Sequence, residues 1–233
     1  MIRLKPGHLL PLCMVPALAL AATPETLSVK VDHVAPGGHL PAQYAVCIAK
    51  TPGHMGFGQD INPEISWSPG PKGTRSYAIF LEDTDSPAAH RDWMNQPGKT
   101  LTASLPRHIF FHWVLVDIPA TTTSIAEGAV AHGLVPHGRA QSASPIGLAG
   151  INSYTMAFAG KPAMQGSYYG YDGPCPPWND EMVHHYHFKI YALSVPKLTL
   201  PPHFDGPAAL AAMRGKILAK GEELTLYTTN PSK

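Results

Sequence analysis

Apolar residues recur along this chain in two patterns. Between residues 27 and 32, Leu27, Val29 and Val31 alternate with Ser28, Lys30 and Asp32, the period of a strand with one buried face. Three later runs hardly alternate: residues 77–81 (YAIFL), 110–116 (FFHWVLV) and 186–193 (YHFKIYAL). Runs of that length, bounded by turn formers, predict strands covered on both faces. Residues 62–67 (NPEISW) precede the turn-rich SPGPKGTRS, and residues 224–227 (LTLY) read as a short last strand. A helical period is found only over residues 208–219, where Leu210, Met213 and Ile217 share a stripe; Pro207 suits its first turn, Lys216 and Lys220 its last, and Gly221 its end. Strands without strand–helix alternation predict one mostly antiparallel, all-β sandwich with a small C-terminal helix. Residues 121–183 carry few strand signals and are dense in Gly, Pro, Ser and Ala. A long irregular stretch of this kind points to functional surface.

Just past YAIFL comes DTDSP, residues 83–87. Asp83 and Asp85 share a face if the strand continues, and two carboxylates so placed repel each other unless a cation or donor lies near them. Composition narrows the field. With 44% hydrophobic and 14% charged residues the 233-residue chain is a folding sequence, and a net charge of +1 excludes a protein whose main task is holding nucleic acid by its phosphates. Arg3 and Lys5, an apolar stretch from Leu9 to Leu20 and the small residues Ala19, Ala21 and Ala22 form the pattern of a secretory signal peptide cleaved after Ala21 or Ala22. Residues 1–21 are therefore read as a leader and 22–233 as a single periplasmic or secreted domain with no transmembrane segment. Cys13 leaves with the leader. Cys47 and Cys175 then form an even pair in an exported chain, a candidate disulfide set against two separate buried thiols.

Candidate chemistry rests on histidines and acids. His112 interrupts an apolar strand and by alternation shares a face with Val114 and Val116; a lone strand histidine is most simply a core residue. His184 and Tyr186 point one way along the next strand, His185 and His187 the other. Asp180 and Glu181, in a turn beside Trp178, read as solvated. No Gly-x-Ser-x-Gly elbow and no phosphate-cradling glycine loop occurs, and the neighbours of Ser86 give no reason to call it activated.

In order, NPEISW, GTRSYAIFLEDTDSP, HIFFHWVLVDIP, GPCPP, HHYHFKIYAL and MRGKILAKGEELTLY give the chain a resemblance to the phosphatidylethanolamine-binding protein family, in its bacterial Raf kinase inhibitor-like branch. The resemblance spans nearly the whole mature chain. It implies an antiparallel sandwich with Greek-key topology and, at one end, a small pocket for phosphate or the phosphoryl head of a phospholipid. Carried over, Asp83 lines that pocket, Asp85 braces its loop, His112, His184 and Tyr186 surround it, and Gly173, Pro174, Pro176 and Pro177 form a wall. Three departures bear on its rim: Thr84 stands where the family usually has proline, His185 where it has arginine, and Asn152-Ser153-Tyr154 where Asn-Asp-Phe-Gly is common. The expected behaviour is that His112 and His184 grow more basic beside Asp83, that both donate to the anion, and that the Gly173 amide adds a donor. These readings favour a non-catalytic binding protein without cofactor, for a phosphorylated small molecule or lipid head group in monoanionic form. Two alternatives stand beside it: a protein-interaction module acting on a kinase or protease, and a metal-binding or hydrolytic protein built on His112, His184, His185 and His187.

Overall fold

The three continuous apolar runs form the centre of the protein. A computed structural model describes residues 24–233, apart from Ser142 and Pro145 and the side chains of Ala143 and Ser144; the leader expectation falls outside the described residues. In chain order the elements are β1 (Glu25–Thr26), β2 (Val29–Val31), β3 (Cys47–Lys50), β4 (His54–Phe57), β5 (Ile65–Trp67), β6 (Ser76–Pro87), β7 (Arg107–Pro119), β8 (Ser124–Ile125), β9 (Ala143–Ser144), β10 (Gly147–Ala149), α1 (Tyr154–Ala157), β11 (His184–Leu193), α2 (Gly206–Met213) and β12 (Ile217–Tyr227). The main sheet runs β1-β12-β11-β6-β7-β10-β9; a second sheet runs β2-β5-β8, and β3 and β4 form a separate hairpin. Apart from the parallel pair β1–β12, the ladders are antiparallel. After β10 the chain makes a long excursion and returns beside β6 rather than β10, the non-local connection expected of a Greek-key sandwich.

Two apolar layers explain why the central strands lack alternation. Ile79 and Leu81 of β6 join Trp113, Leu115, Phe188 and Ile190 against Val31, Ile65, Trp67 and Ile125 of the second sheet. Ala78 and Phe80 point the other way, with Val114, Val116 and Leu193, against Phe204, Ala209 and Met213 on and beside α2. Each fully buried side chain of this size contributes about 1.5–3 kcal/mol. Among the described residues no helix is long and apolar enough to cross a membrane.

The helix is shorter than its periodicity predicts. Asp205 caps it by accepting from the Ala208 amide, and it ends at Met213. Gly215 then turns at φ 71°, and Ile217 opens β12, which pairs along its length with β11. Ladder pairing overrides the helical stripe that residues 214–219 would continue. Gly221 is accordingly no helix terminator. It lies within β12, where an added Cβ would stand 2.2 Å from the Leu27 carbonyl oxygen, a close approach that only glycine permits. Residues 224–227 are thus the end of an eleven-residue strand rather than a short one.

Cys47 and Cys175 form a disulfide across 128 residues. It fastens the start of β3 to the proline-rich segment before β11. Replacing both with serine is expected to lower stability by about 3–5 kcal/mol, the loop-closure value for so long a span, measured as a shift in denaturant midpoint. Reducing the wild type should reproduce most of it; an unchanged midpoint would show that the bridge contributes no constraint.

Candidate functional site

The site lies where β6, β7 and β11 end together. Directly across from Asp83 on β6 is Tyr186 on β11. On the other side, Leu81 pairs with Trp113 but Glu82 pairs with Phe111. His112 is therefore the extra residue of a β-bulge, and bulges re-aim side chains. Instead of joining Val114 and Val116 as strict alternation implies, its ring turns to the Asp83 face and lies 4.8 Å from Phe110, 5.3 Å from Tyr186 and 5.5 Å from Tyr154.

The two carboxylates of DTDSP find separate partners. Asp83 accepts from the Asp85 amide at 2.8 Å and from His184 Nδ1 at 2.8 Å. Asp85 accepts at 2.7 Å from both the amide and the Nδ1 of His185. The β6–β7 ladder is irregular between Asp83 and Ser86, so Asp85 leaves the face of Asp83 and braces β11 through His185.

His184 also contacts Asp180, from Nε2 at 3.2 Å, and Asp180 is gripped by both terminal nitrogens of Arg107 at 2.6 and 3.0 Å. Asp180 is fully buried, against the expectation of a solvated turn residue. Burial pulls the His184 ring toward neutrality, but Asp83 and Asp180 outweigh it and push its pKa up to about 9. Burial raises Asp180, and the bonds from His184 and Arg107 more than reverse that, holding it below the usual carboxylate range. Both N–H groups of His184 are spent on carboxylates, so it supplies charge to the site and no free donor.

His112 behaves differently from expectation. Burial lowers its pKa and outweighs the opposing charge of Asp83. Its Nδ1 donates to the Asp172 carbonyl at 2.9 Å, which leaves Nε2 of the neutral ring as an acceptor. Among the described residues that nitrogen has no hydrogen-bond partner. The hydroxyl of Tyr186 is buried and also without one.

Together these groups border a cavity of about 460 Å³. Asp83, His112, His184, Pro176 and Pro177 line it, with Tyr186 behind them. Gly173 and Pro174 build the wall from the rear. The Gly173 amide donates to Asp60 at 2.8 Å rather than toward the cavity, and its Cβ position lies 1.9 Å from the Tyr44 carbonyl oxygen; close packing, not anion approach, explains this glycine. Behind it Arg139 pairs with Asp172 at 3.0 Å and lies 3.6 Å from Asp60. Burial, then the charge of Asp172, pushes the Asp60 pKa up to about 8.

Two segments cover the cavity, of which sequence reasoning missed the first and marked the second only as irregular functional surface. One carries Arg91, Met94 and Asn95; the other carries Tyr154, Ala157, Phe158 and Lys161 and lies inside the irregular region. The first is clasped by Asn179, whose Oδ1 accepts from the Asn95 amide at 2.9 Å and whose Nδ2 donates to the carbonyls of Trp93 and Lys99 at 2.9 and 3.0 Å. Val46, Met55, Phe57, Phe110 and Phe158 make one side of the cavity apolar. His185 and His187 lie on the opposite face of β11, where His187 meets Glu222 at 3.1 Å, so the four histidines of the metal alternative do not converge. Among the described residues no group of three or more metal-ligating side chains forms a metal site.

A family model described as phosphatidylethanolamine-binding protein matches residues 30–228. A UPF0098 protein of Aquifex aeolicus is 32% identical over 170 residues, covering 73% of this chain and 75% of that protein. UPF0098 protein YbcL of Escherichia coli is 26% identical over 172 residues, 73% of each. The crystal structure of YbcL, described as a new member of the mammalian PEBP family, matches with TM-score 0.61 at 23% identity, covering 87% of this chain and 98% of that one. A putative PEBP homolog of Chlamydia trachomatis, CT736, gives 0.57 at 24%, covering 87% and 97%. At these identities the structural likeness reports the shared fold.

Two measurements check the site's construction. Because His184 has a higher pKa folded than its ordinary 6.5, its contribution is complete below pH 6.5 and lost as pH rises through about 9. Unfolding free energy should fall over that window by about 3 kcal/mol, and His184→Gln should flatten the profile. A wild-type profile level through pH 9 contradicts the assignment. Asn179→Ala should cost about 2 kcal/mol and speed amide exchange across residues 93–99, leaving β6 and β11 protected; unchanged exchange there would remove the clasp.

Proposed function

The chain belongs to the phosphatidylethanolamine-binding protein family, and on that footing we propose that it is an exported, non-catalytic binding protein that takes a phosphoryl group into the cavity beside Asp83, His112 and His184. The observation that carries this reading is the open Nε2 of His112 on the cavity wall, with the unpartnered Tyr186 hydroxyl next to it. Buried polar atoms without partners are uncommon and cost about 1–3 kcal/mol each; a ligand that satisfies them recovers part of that cost. A neutral histidine presents a lone pair, so the ligand atom that meets it carries a proton. The P–OH of a monoanionic phosphate is such an atom, and it also avoids the repulsion a dianion meets at Asp83. The buried charge of His184 offsets that of Asp83, which leaves room for one further negative charge.

Binding rather than catalysis is favoured because Ser86, the serine on the cavity wall, is not hydrogen-bonded to any base among the described residues. Export is supported by the leader-like N-terminus and by the Cys47–Cys175 bridge, a linkage at home in oxidising compartments.

Calorimetry with inorganic phosphate and a phosphomonoester tests the proposal. His112→Phe, which keeps the ring volume, should weaken binding about tenfold, or about 1.4 kcal/mol, and Asp83→Asn, which removes the repelling charge, should abolish the preference for the monoanion. Affinity should drop as pH rises past roughly 6, where a phosphomonoester loses its second proton. Affinity that climbs steadily toward alkaline pH, or variants that bind like wild type, would overturn it.

A further inference from the structure

We propose that this cavity selects phosphoryl ligands with a net negative charge and a hydroxyl donor over zwitterionic ones that carry an ammonium group. The inference rests on the phosphoryl reading above and names its ligand class.

It starts from the charges that face the cavity. Asp83 is the carboxylate among the lining residues; the cations are Arg91, Lys161 and His184. Asp83 has no spare charge for an ammonium, since Oδ2 already holds the imidazolium of His184 and Oδ1 the Asp85 amide. The nearby buried charges cancel: Arg107 answers Asp180 and Arg139 answers Asp172, while burial and the charge of Asp172 keep the adjacent Asp60 protonated at neutral pH. Arg91 and Lys161 differ from these arginines. Among the described residues neither has a carboxylate partner, and Lys161 lies 5.5 Å from the Phe158 ring. Asp92 follows Arg91 but does not line the cavity.

The two cations come from the two covering segments and line one cavity. An ammonium entering there meets three like charges and one occupied carboxylate. With the phosphoryl group seated on His112 Nε2, the other end of the ligand projects toward Arg91 and Lys161, where a hydroxyl enters without charge and an ammonium is repelled. Both rim residues are exposed, so each contributes only a few-fold and the effect fades with salt; together they are expected to yield about tenfold.

O-phosphoethanolamine and ethylene glycol monophosphate form a matched pair, since one ends in an ammonium and the other in a hydroxyl. Calorimetry of the purified protein at low ionic strength should show the hydroxyl compound binding about tenfold tighter. Arg91→Gln combined with Lys161→Gln should bring the two near parity with an unchanged melting temperature. A second pair, dihexanoyl phosphatidic acid and dihexanoyl phosphatidylethanolamine, separates lipid from soluble sources. The acid should again bind more tightly, and affinities above those of the soluble pair would assign the apolar side of the cavity to an acyl chain. Equal or reversed order in the wild type overturns the selectivity while leaving phosphoryl binding intact. Failure of every compound to bind overturns both.

Discussion

A protonated imidazole buried between two carboxylates fixes this end of the molecule. Desolvation alone would strip the proton from His184, and Asp83 and Asp180 keep it there. Asp180 stays ionised in turn because Arg107 grips it with two nitrogens. The string runs from the end of β6 through the start of β11 to the start of β7, so a single set of alternating charges ties three strands that are distant in sequence. Removing one member strands a buried charge, which is far costlier than the net worth of any one pair. The adjoining proline wall is anchored separately, by the disulfide and by the Asp60 bond to Gly173. The floor is consequently stiff, and the groups that border it hold fixed positions.

Buried side-chain atoms without a hydrogen-bond partner also occur in the framework, at Asp60 Oδ2, Arg107 Nε, Trp67 Nε1 and Trp113 Nε1; what distinguishes His112 is that its residue lines the cavity, with the Tyr186 hydroxyl behind it. A structure optimised for stability alone would give the Tyr186 hydroxyl and the second nitrogen of His112 a protein partner. Local violations of this kind concentrate where a protein meets its ligand. The covering segments are of another sort. They contribute methionine, phenylalanine and unpaired cations; the first depends on Asn179 for its place, and the second is held by Tyr154, whose amide donates to Asn152 and whose hydroxyl donates to the Gly173 carbonyl.

Much of the fold was legible because hydrophobic runs report burial. YAIFL, FFHWVLV and YHFKIYAL mark the three central strands, and the absence of alternation signals cover on both faces, which the second sheet and α2 supply. The helix was legible only in part: a stripe through Ile217 cannot reveal that β11 waits as a ladder partner. Of the site, Asp83, His112, His184 and the two later prolines were identified through resemblance, while their electrostatics were not. Alternation misplaced His112 because a bulge leaves no mark in the residue pattern. His112 and His184 received the same expected pKa shift, yet one ring has two carboxylates and the other a carbonyl. Asp180 read as a surface acid because its partner Arg107 lies seventy-three residues away, and the same distance problem hid Arg139, Asp60 and Asp172.

The extra residue at His112 sets the two halves of β7 out of phase. Ahead of it, the odd-numbered Phe111 joins the layer under α2; behind it, the odd-numbered Trp113 joins the layer between the sheets. Length changes in this strand are therefore far less tolerable than substitutions. A chain shortened by one residue there would restore a regular ladder but swing an imidazole into a hydrocarbon layer, whereas a swap of one apolar side chain for another would leave every neighbour facing as before. The phase of β7 is thus set by its residue count before it is set by which apolar side chains fill it.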